Sequence, residues 1–389
     1  MSSPIAQRSA WTARDRRATA AVAVQFAVNG AFFASFLPRL PELRDHLGIS
    51  TERVGTLLTV ASATGIVASL TVRRVIAKFG TRRVLFAGGL LIAVALLGVG
   101  RSTTWPAALV TLAIMCGFDV YVDVAMNLQG SWLSARRHRP MMNRLHGLWS
   151  LGSVIGGLIA AALAGSSVSL RAHLTATAIV LAVISMLLAT QLLPEDEVHA
   201  DERSDPTDVA APPRSPMPLR AFFVAGFTAV AIETAAINWA AFRISDDLHG
   251  SGSIAALAYV AVVGGMTITR FAGDHLSAHW GPDRFLVGSA VLAISCIVLA
   301  GVVPNEAVTA TAFLAAGLGI ATLTPRLYDL AARAGAGTAS GLGVLSGGMR
   351  SATIVIPVSI AAAASATSVG TAIAVTSALA GVVFVAVTR

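Results

Sequence analysis

A few polar side chains set in long apolar runs carry whatever chemistry this chain performs. Asp119, Asp123 and Asn127 are spaced four apart, so an α-helix would present all three on one face. Gln25 and Asn29 are likewise four apart. Glu233 is followed by Asn238 and Trp239, and Arg350 stands alone in an apolar run. An ionisable group at bilayer depth costs about 2.5–3.5 kcal/mol on insertion scales, so such groups mark function or pairing. A carboxylate that loads a proton on one side and releases it on the other couples hydrogen-ion flow to movement of a second solute. Asp123 and Glu233 are the first candidates for that role, then Asp119. The alternative is that these acids form permanent pairs with Arg350, Arg144 or His146 and only fix helix positions. Asp123 and Asn127 could also form a gate with Arg144. His146 and Trp149 could bond or stack on a solute, although a Trp at a helix end commonly anchors the interface. Arg350 could serve as counter-ion or hold an anionic group of the solute.

Those residues need crossing helices to hold them. The 389 residues are 55% hydrophobic and 12% charged, with a mean hydropathy of +0.73; soluble domains carry about twice that charge. Apolar stretches fall at 18–37, 54–72, 84–100, 106–130, 141–164, 172–193, 219–241, 253–271, 285–303, 308–330, 342–364 and 369–387. Each approaches the roughly 20 residues of one helical crossing, and helices satisfy their backbone hydrogen bonds internally. The expected fold is an all-α polytopic membrane protein with 12 transmembrane helices. Residues 1–193 form one half, 194–218 a hydrophilic, acidic and Pro-rich linker, and 219–389 the other half.

The net charge is +8, and Lys78 is the single lysine among 28 basic residues. In a soluble chain that balance points to nucleic acid. Here 21 of the 28 lie at the ends, in alternate loops or in the adjoining ends of the stretches (Arg144, Arg220, Arg270 and Arg326), against 6 in the opposite loops. That is the positive-inside pattern. It places both termini and the linker in the cytoplasm of a cell-membrane protein, with the lipid bilayer rather than nucleic acid as partner. Arg14, Arg16 and Arg17 precede an apolar run that reaches Phe36 without a small-residue cleavage site, so it reads as a retained first helix. Cys116 and Cys296 sit in apolar stretches and read as small hydrophobes. No Cys/His spacing suits zinc, and no Walker A, H-E-x-x-H or G-x-S-x-G occurs. Neither metal, cofactor nor enzymatic activity is expected.

Adding 201 to residue numbers aligns the opening segments of the two halves. Phe26 meets Phe227, Asp45 meets Asp246, Gly80 meets Gly281, and Arg83 meets Arg284. Two six-helix halves in one orientation imply a pseudo-two-fold along the membrane normal, with a central site between them.

The loop Arg74-Val-Ile-Ala-Lys78-Phe-Gly80-Thr-Arg82-Arg83 resembles the signature loop of the major facilitator superfamily, Gly-x-x-x-Asp-Arg-x-Gly-x-Arg, with Arg73 and Ala77 replacing the first Gly and the Asp. A second copy runs from Arg270 through Gly273 and Asp274 to Gly281 and Arg284. Asp123-Val-Ala-Met-Asn127, His146-Gly-Leu-Trp149-Ser-Leu-Gly152 and Arg270-Phe-Ala-Gly-Asp274 are similar to the rhizopine and sugar permease-like branch. The resemblance implies alternating access by a monomer, with helices 1, 4, 7 and 10 lining a cavity. It also implies that helices 5 and 11, bearing Gly152/Gly156 and Gly343/Gly347, lie where the halves meet. Gly152-Ser153-Val154-Ile155-Gly156-Gly157 is similar to the antiporter motif of exporters, with Ser153 in place of Pro. The function expected is a secondary active transporter of a small organic solute, coupled to protons, with export slightly favoured. Uptake of a sugar- or polyol-like solute is the alternative, and a transporter-like sensor the third reading. Arg326, near the end of its helix, is expected to snorkel or gate.

Overall fold

The computed structural model describes residues 11–137, 141–166, 168–194, 217–332 and 338–388; the side chains of Asn143, Asp274, Ala332 and residues 338–340 lie outside that description. The linker expected at 194–218 falls mostly outside it too. Twelve helices are long and apolar enough to cross a membrane. They are α1 (Ala13–Phe36), α2 (Thr51–Phe79), α3 (Thr81–Arg101), α4 (Trp105–Arg137), α5 (Met142–Gly165), α6 (Leu170–Ala189), α7 (Leu219–Phe242), α8 (Gly252–Trp280), α9 (Pro282–Val302), α10 (Glu306–Ala332), α11 (Thr338–Ala366) and α12 (Val369–Thr388). Their order matches the twelve stretches read from hydropathy. Several run past them, α2 to Phe79 rather than 72 and α4 to Arg137 rather than 130, because polar residues continue a helix into the headgroup region without ending its hydrogen bonding.

Local signals explain the ends. Thr12 and Asp15 form a reciprocal capping box at the start of α1. Ser50 and Ser251 stand 201 apart, and each caps its helix by accepting from the amide three residues on, Arg53 and Ile254. Gly80 and Gly281, also 201 apart, turn α2 into α3 and α8 into α9 at φ 80° and 83°. Side chains other than glycine rarely adopt that conformation. The repeat is therefore written in backbone geometry as well as in sequence. A short helix at Leu40–Leu47 and a π-helical segment at Arg243–Asp247 follow α1 and α7, and hydropathy did not signal either.

Lipid offers no hydrophobic drive for helix association, so close packing must hold the bundle together. Glycines provide it. A Cβ at Gly152 or Gly156 would meet the backbone of Ala27 or Ala31, so α5 lies directly on α1 within the first half. In the second half α7 and α11 close in the same way, through Gly226 against Leu345 and Gly348 against Phe223. This corrects the expected use of the paired glycines. Gly152 and Gly156 seal α5 to its own half. Gly343 meets nothing among the described residues, and Gly347 has only ordinary contact with Phe223.

The halves meet along two other seams. Between α5 and α8, Gly157 takes Tyr259 and Val260, and Gly147 takes the ring of Phe271. Between α2 and α11, Gly55 lies on Pro357 and Ala361, Thr59 donates to the Ile354 carbonyl at 2.8 Å, and Ser365 donates to Glu52 at 2.7 Å. With twelve crossings, both ends of the sequence share one face, here termed the terminal face. On the opposite face Arg44 pairs with Asp246 of the other half at 2.5 Å and stacks on Phe242 at 5.3 Å. Side chains such as Leu70, Val94, Leu187 and Val382 project outward, as a lipid-facing belt requires.

Replacement of Gly152 by Leu must displace the Ala27 backbone and should cost about 3 kcal/mol or more, the upper end for overpacking. Gly343→Leu should stay within about 0.5 kcal/mol. Thermal unfolding in detergent, followed by size exclusion, checks the pair; equal losses would contradict this packing.

Candidate functional site

Five helices contribute to one polar chain that crosses from half to half. It begins on α4, where Asp119 accepts a hydrogen bond from the Asn29 amide of α1 at 2.8 Å. The Asn29 carbonyl oxygen accepts from the Trp149 indole of α5, again at 2.8 Å. A carboxylate only accepts and an indole only donates, so both ends dictate how the Asn29 amide is oriented. Arg270 of α8 then covers the Trp149 ring, its guanidinium carbon 5.4 Å from the centroid, and donates to the Ser150 hydroxyl. Glu233 of α7 ends the chain; it attracts Arg270 electrostatically without forming a direct ion pair.

Helical spacing explains why these residues converge. Asn29 projects toward α4 and α5 because α1 lies against α5 through Gly30, which meets the Trp149 carbonyl, and Gly152. Asp123 shares the face of Asp119 but is exposed, and its carboxylate accepts from Asn127 at 3.1 Å, four residues on. Gln25 and Asn29 are both buried on α1.

A cavity of about 440 Å³ lies among α5, α7, α8, α9 and α10, lined by His146, Glu233, Thr269 and Arg270 and reaching Tyr328 and Asp329. Tyr328 and Asp329 are exposed near the terminal-face end of α10. His146 packs edge-on to Phe26 at 5.3 Å. Arg326, another lining residue, pairs with Asp283 at 2.7 Å across α9 and α10. Gly273 lines the same cavity; the side chain of Asp274 lies outside the described residues.

Other candidates fall elsewhere. Trp239 is fully buried and packs on Phe242 at 5.2 Å. Six residues carry a side chain about 120° around the helix from Glu233, so Trp239 does not share its face. Asn238, at five residues, is turned through about 140° and makes no hydrogen bond among the described residues. Arg350 is half-buried on α11 and forms no ion pair among the described residues. Among the described residues the intramembrane acids form no ion pair with Arg350, Arg144 or His146. Lys78, Gly80, Arg82 and Arg83 frame a separate recess, and Arg284 is exposed.

Arg270 is the residue that sequence reasoning missed. Counted as a loop charge, it lies ten residues inside the end of α8. Its own segment, Arg270-Phe-Ala-Gly-Asp274, was the available signal, as was Ser69 at the matching position of the first half.

Comparison with known proteins agrees with this architecture. The description of the Major Facilitator Superfamily matches residues 22–357. An uncharacterized transporter, y4wD, of Sinorhizobium fredii is 26% identical over 80% of this chain and 81% of its own. The membrane protein MosC of Rhizobium meliloti is 24% identical over 80% and 75%. The nucleoside transporter NupG superimposes with a TM-score of 0.72 at 12% identity, covering 97% of this chain and 98% of that one. The Escherichia coli fucose:proton symporter FucP gives 0.58 at 16% identity, over 95% and 97%. The chain belongs to the Major Facilitator Superfamily and is a multi-pass secondary transporter.

Trp149→Phe keeps the ring beneath Arg270 but leaves the buried Asn29 oxygen without its donor. It should cost about 1–3 kcal/mol, the penalty of an unsatisfied buried acceptor. Trp149→Ala should cost more, since the ring is lost as well. Differential scanning fluorimetry of both variants checks this; a Trp149→Phe protein as stable as wild type would contradict the hydrogen-bonded chain.

Proposed function

We propose that this protein exchanges protons for a small polar organic solute across the cytoplasmic membrane, with Glu233 as the principal coupling residue. The observation that carries the reading is the shared cavity: Glu233 and Arg270 both line it, while the other partners of Arg270 are on α5 of the opposite half. A charged Glu233 draws Arg270 toward α7. A protonated Glu233 releases it, so Arg270 settles on Trp149 and Ser150 alone. One proton thereby changes the balance of forces at the seam between the halves. Asp119 and Asp123 form a second acidic pair on α4, whose charge reaches the same seam through Asn29 and Trp149. His146, Thr269 and Arg270 offer hydrogen-bonding groups to the solute.

A solute held by Glu233 needs the carboxylate charged, so solute and proton compete for one group. Competition of that kind favours exchange, and hence export driven by the inward proton gradient. The terminal face is taken as cytoplasmic, in keeping with its excess of arginine. The Arg44–Asp246 pair and the Glu52–Ser365 bond close the opposite face, while the cavity reaches exposed residues near the terminal one, an arrangement that suits an inward-open state. FucP, a fold neighbour, is a proton symporter, so this fold accommodates proton coupling.

A thermal-shift screen of sugars, polyols and antibiotics supplies a solute for proteoliposome assays. Glu233→Gln should then lower gradient-driven transport at least about tenfold and weaken solute-for-solute exchange with it, because the group that solute and proton share is gone; the exchange that remains should no longer depend on pH through this site. Asp123→Asn should weaken gradient-driven transport as well. Uphill transport at wild-type rates in both variants would remove the coupling role. Reporter fusions at both ends should report the cytoplasm; ends on opposite sides would overturn the orientation.

A further inference from the structure

The turn from α2 to α3 and the end of α6 enclose a second recess, of about 620 Å³, at the terminal face. It shares no lining residue with the cavity that holds Glu233 and Arg270. Three cations stand around it: Lys78, Arg82 and Arg83. Among the described residues no carboxylate pairs with any of them. Lys78 lies over the Phe79 ring at 5.2 Å. Arg82 is fixed by donating to the carbonyl of Ala189, the last residue of α6, at 3.2 Å and to that of the capping Thr190 at 3.4 Å. Gly80, at φ 80° and ψ 154°, breaks the chain so that α3 begins in the recess. The first amides of a helix have no intrahelical acceptor and carry partial positive charge. The rim is apolar and outward-facing, with Phe79 47%, Phe86 38% and Met186 43% exposed.

The second half is an internal control. Gly281 repeats the turn at φ 83°, but Asp283 stands where Arg82 does in the first half, and it pairs with Arg326. The fold therefore makes this turn with a single arginine, Arg284 at the position of Arg83, and with His279 and Asp283 in place of Lys78 and Arg82, so the turn itself does not require three cations together. A cationic floor beneath an apolar rim fits an amphiphile with an anionic head. We propose that this recess binds the phosphate headgroup of an anionic phospholipid, through Lys78, Arg83 and the opening amides of α3, while the acyl chains lie on Phe79, Phe86 and Met186. Basic pockets between helices at a membrane surface recognise such heads, each cation contributing modestly but additively.

Native mass spectrometry of the full chain, delipidated in detergent and titrated with phosphatidylglycerol, phosphatidylcholine or inorganic phosphate, tests this. Phosphatidylglycerol should bind with defined stoichiometry and phosphatidylcholine should not. Lys78→Gln/Arg83→Gln should weaken phosphatidylglycerol roughly 30-fold, two cations' worth, whereas Arg284→Gln in the second half should leave it unchanged. Unaltered melting of the double variant in phosphatidylcholine micelles would show that the loss is of binding and not of fold. Equal binding of both lipids, or undiminished binding by Lys78→Gln/Arg83→Gln, would overturn the proposal. Displacement of phosphatidylglycerol by equimolar inorganic phosphate would also overturn it, by assigning the recess to a soluble anion.

Discussion

The arrangement depends on one half-buried cation held between two helices of one half and one helix of the other. Arg270 cannot discard its charge, so every state of the protein must give its guanidinium a counter-charge, a π face or an acceptor. In the structure it takes all three kinds: Glu233 for charge, Trp149 for the ring and Ser150 for the hydroxyl. Because the ring and hydroxyl belong to α5, the place where Arg270 rests is also a place where the halves touch. Anything that changes the charge opposite Arg270 alters that contact, which makes the seam sensitive to protons and to charged solutes.

That sensitivity requires a bundle rigid elsewhere. Backbone-to-backbone packing of α1 on α5 and of α7 on α11 makes each half a stiff unit, fixed by Gly30, Gly152, Gly226 and Gly348. Buried arginines at the opposite face serve the same end. Arg39 is bonded to Glu42 and to the Val168 carbonyl, and Arg243 to Asp247 and the carbonyls of Ala300 and Val303. Each ties a loop to its own half. Between the halves the contacts among the described residues are glycine grooves, one ion pair, two cation–π contacts and single hydrogen bonds. Such seams can part without disturbing either core.

The fold was legible because bilayer physics narrows the choices: length of apolar run, internal hydrogen bonding and the offset of 201 residues together define twelve helices in two halves. Asp119 and Asn29 were legible as polar residues at depth, and His146 as a polar residue at the start of its helix. Trp239 was misplaced because sharing a helix with Glu233 is not sharing its face, and six residues carry a side chain around the axis. Arg270 escaped because an arginine near the end of an apolar stretch looks the same in sequence whether the helix stops there or runs on. Only the continuation of α8 to Trp280, with polar residues and no breaker before Gly281, distinguishes the two. The glycine pairs were recognisable as packing devices, but their partner helix depends on which way each turn faces, and local spacing does not encode that.

The central claim is that the charge of Glu233 sets the seat of Arg270 and, through it, the separation of the halves. Spin labels at Arg74→Cys on α2 and His279→Cys on α8, in a background lacking Cys116 and Cys296, place one probe on each half at the terminal face. Distances between them, measured by double electron–electron resonance across a pH series, should shift between two populations in the otherwise native protein. With Glu233→Gln the acidic-pH population should persist at every pH. An unchanged pH response in the Glu233→Gln protein would contradict the account.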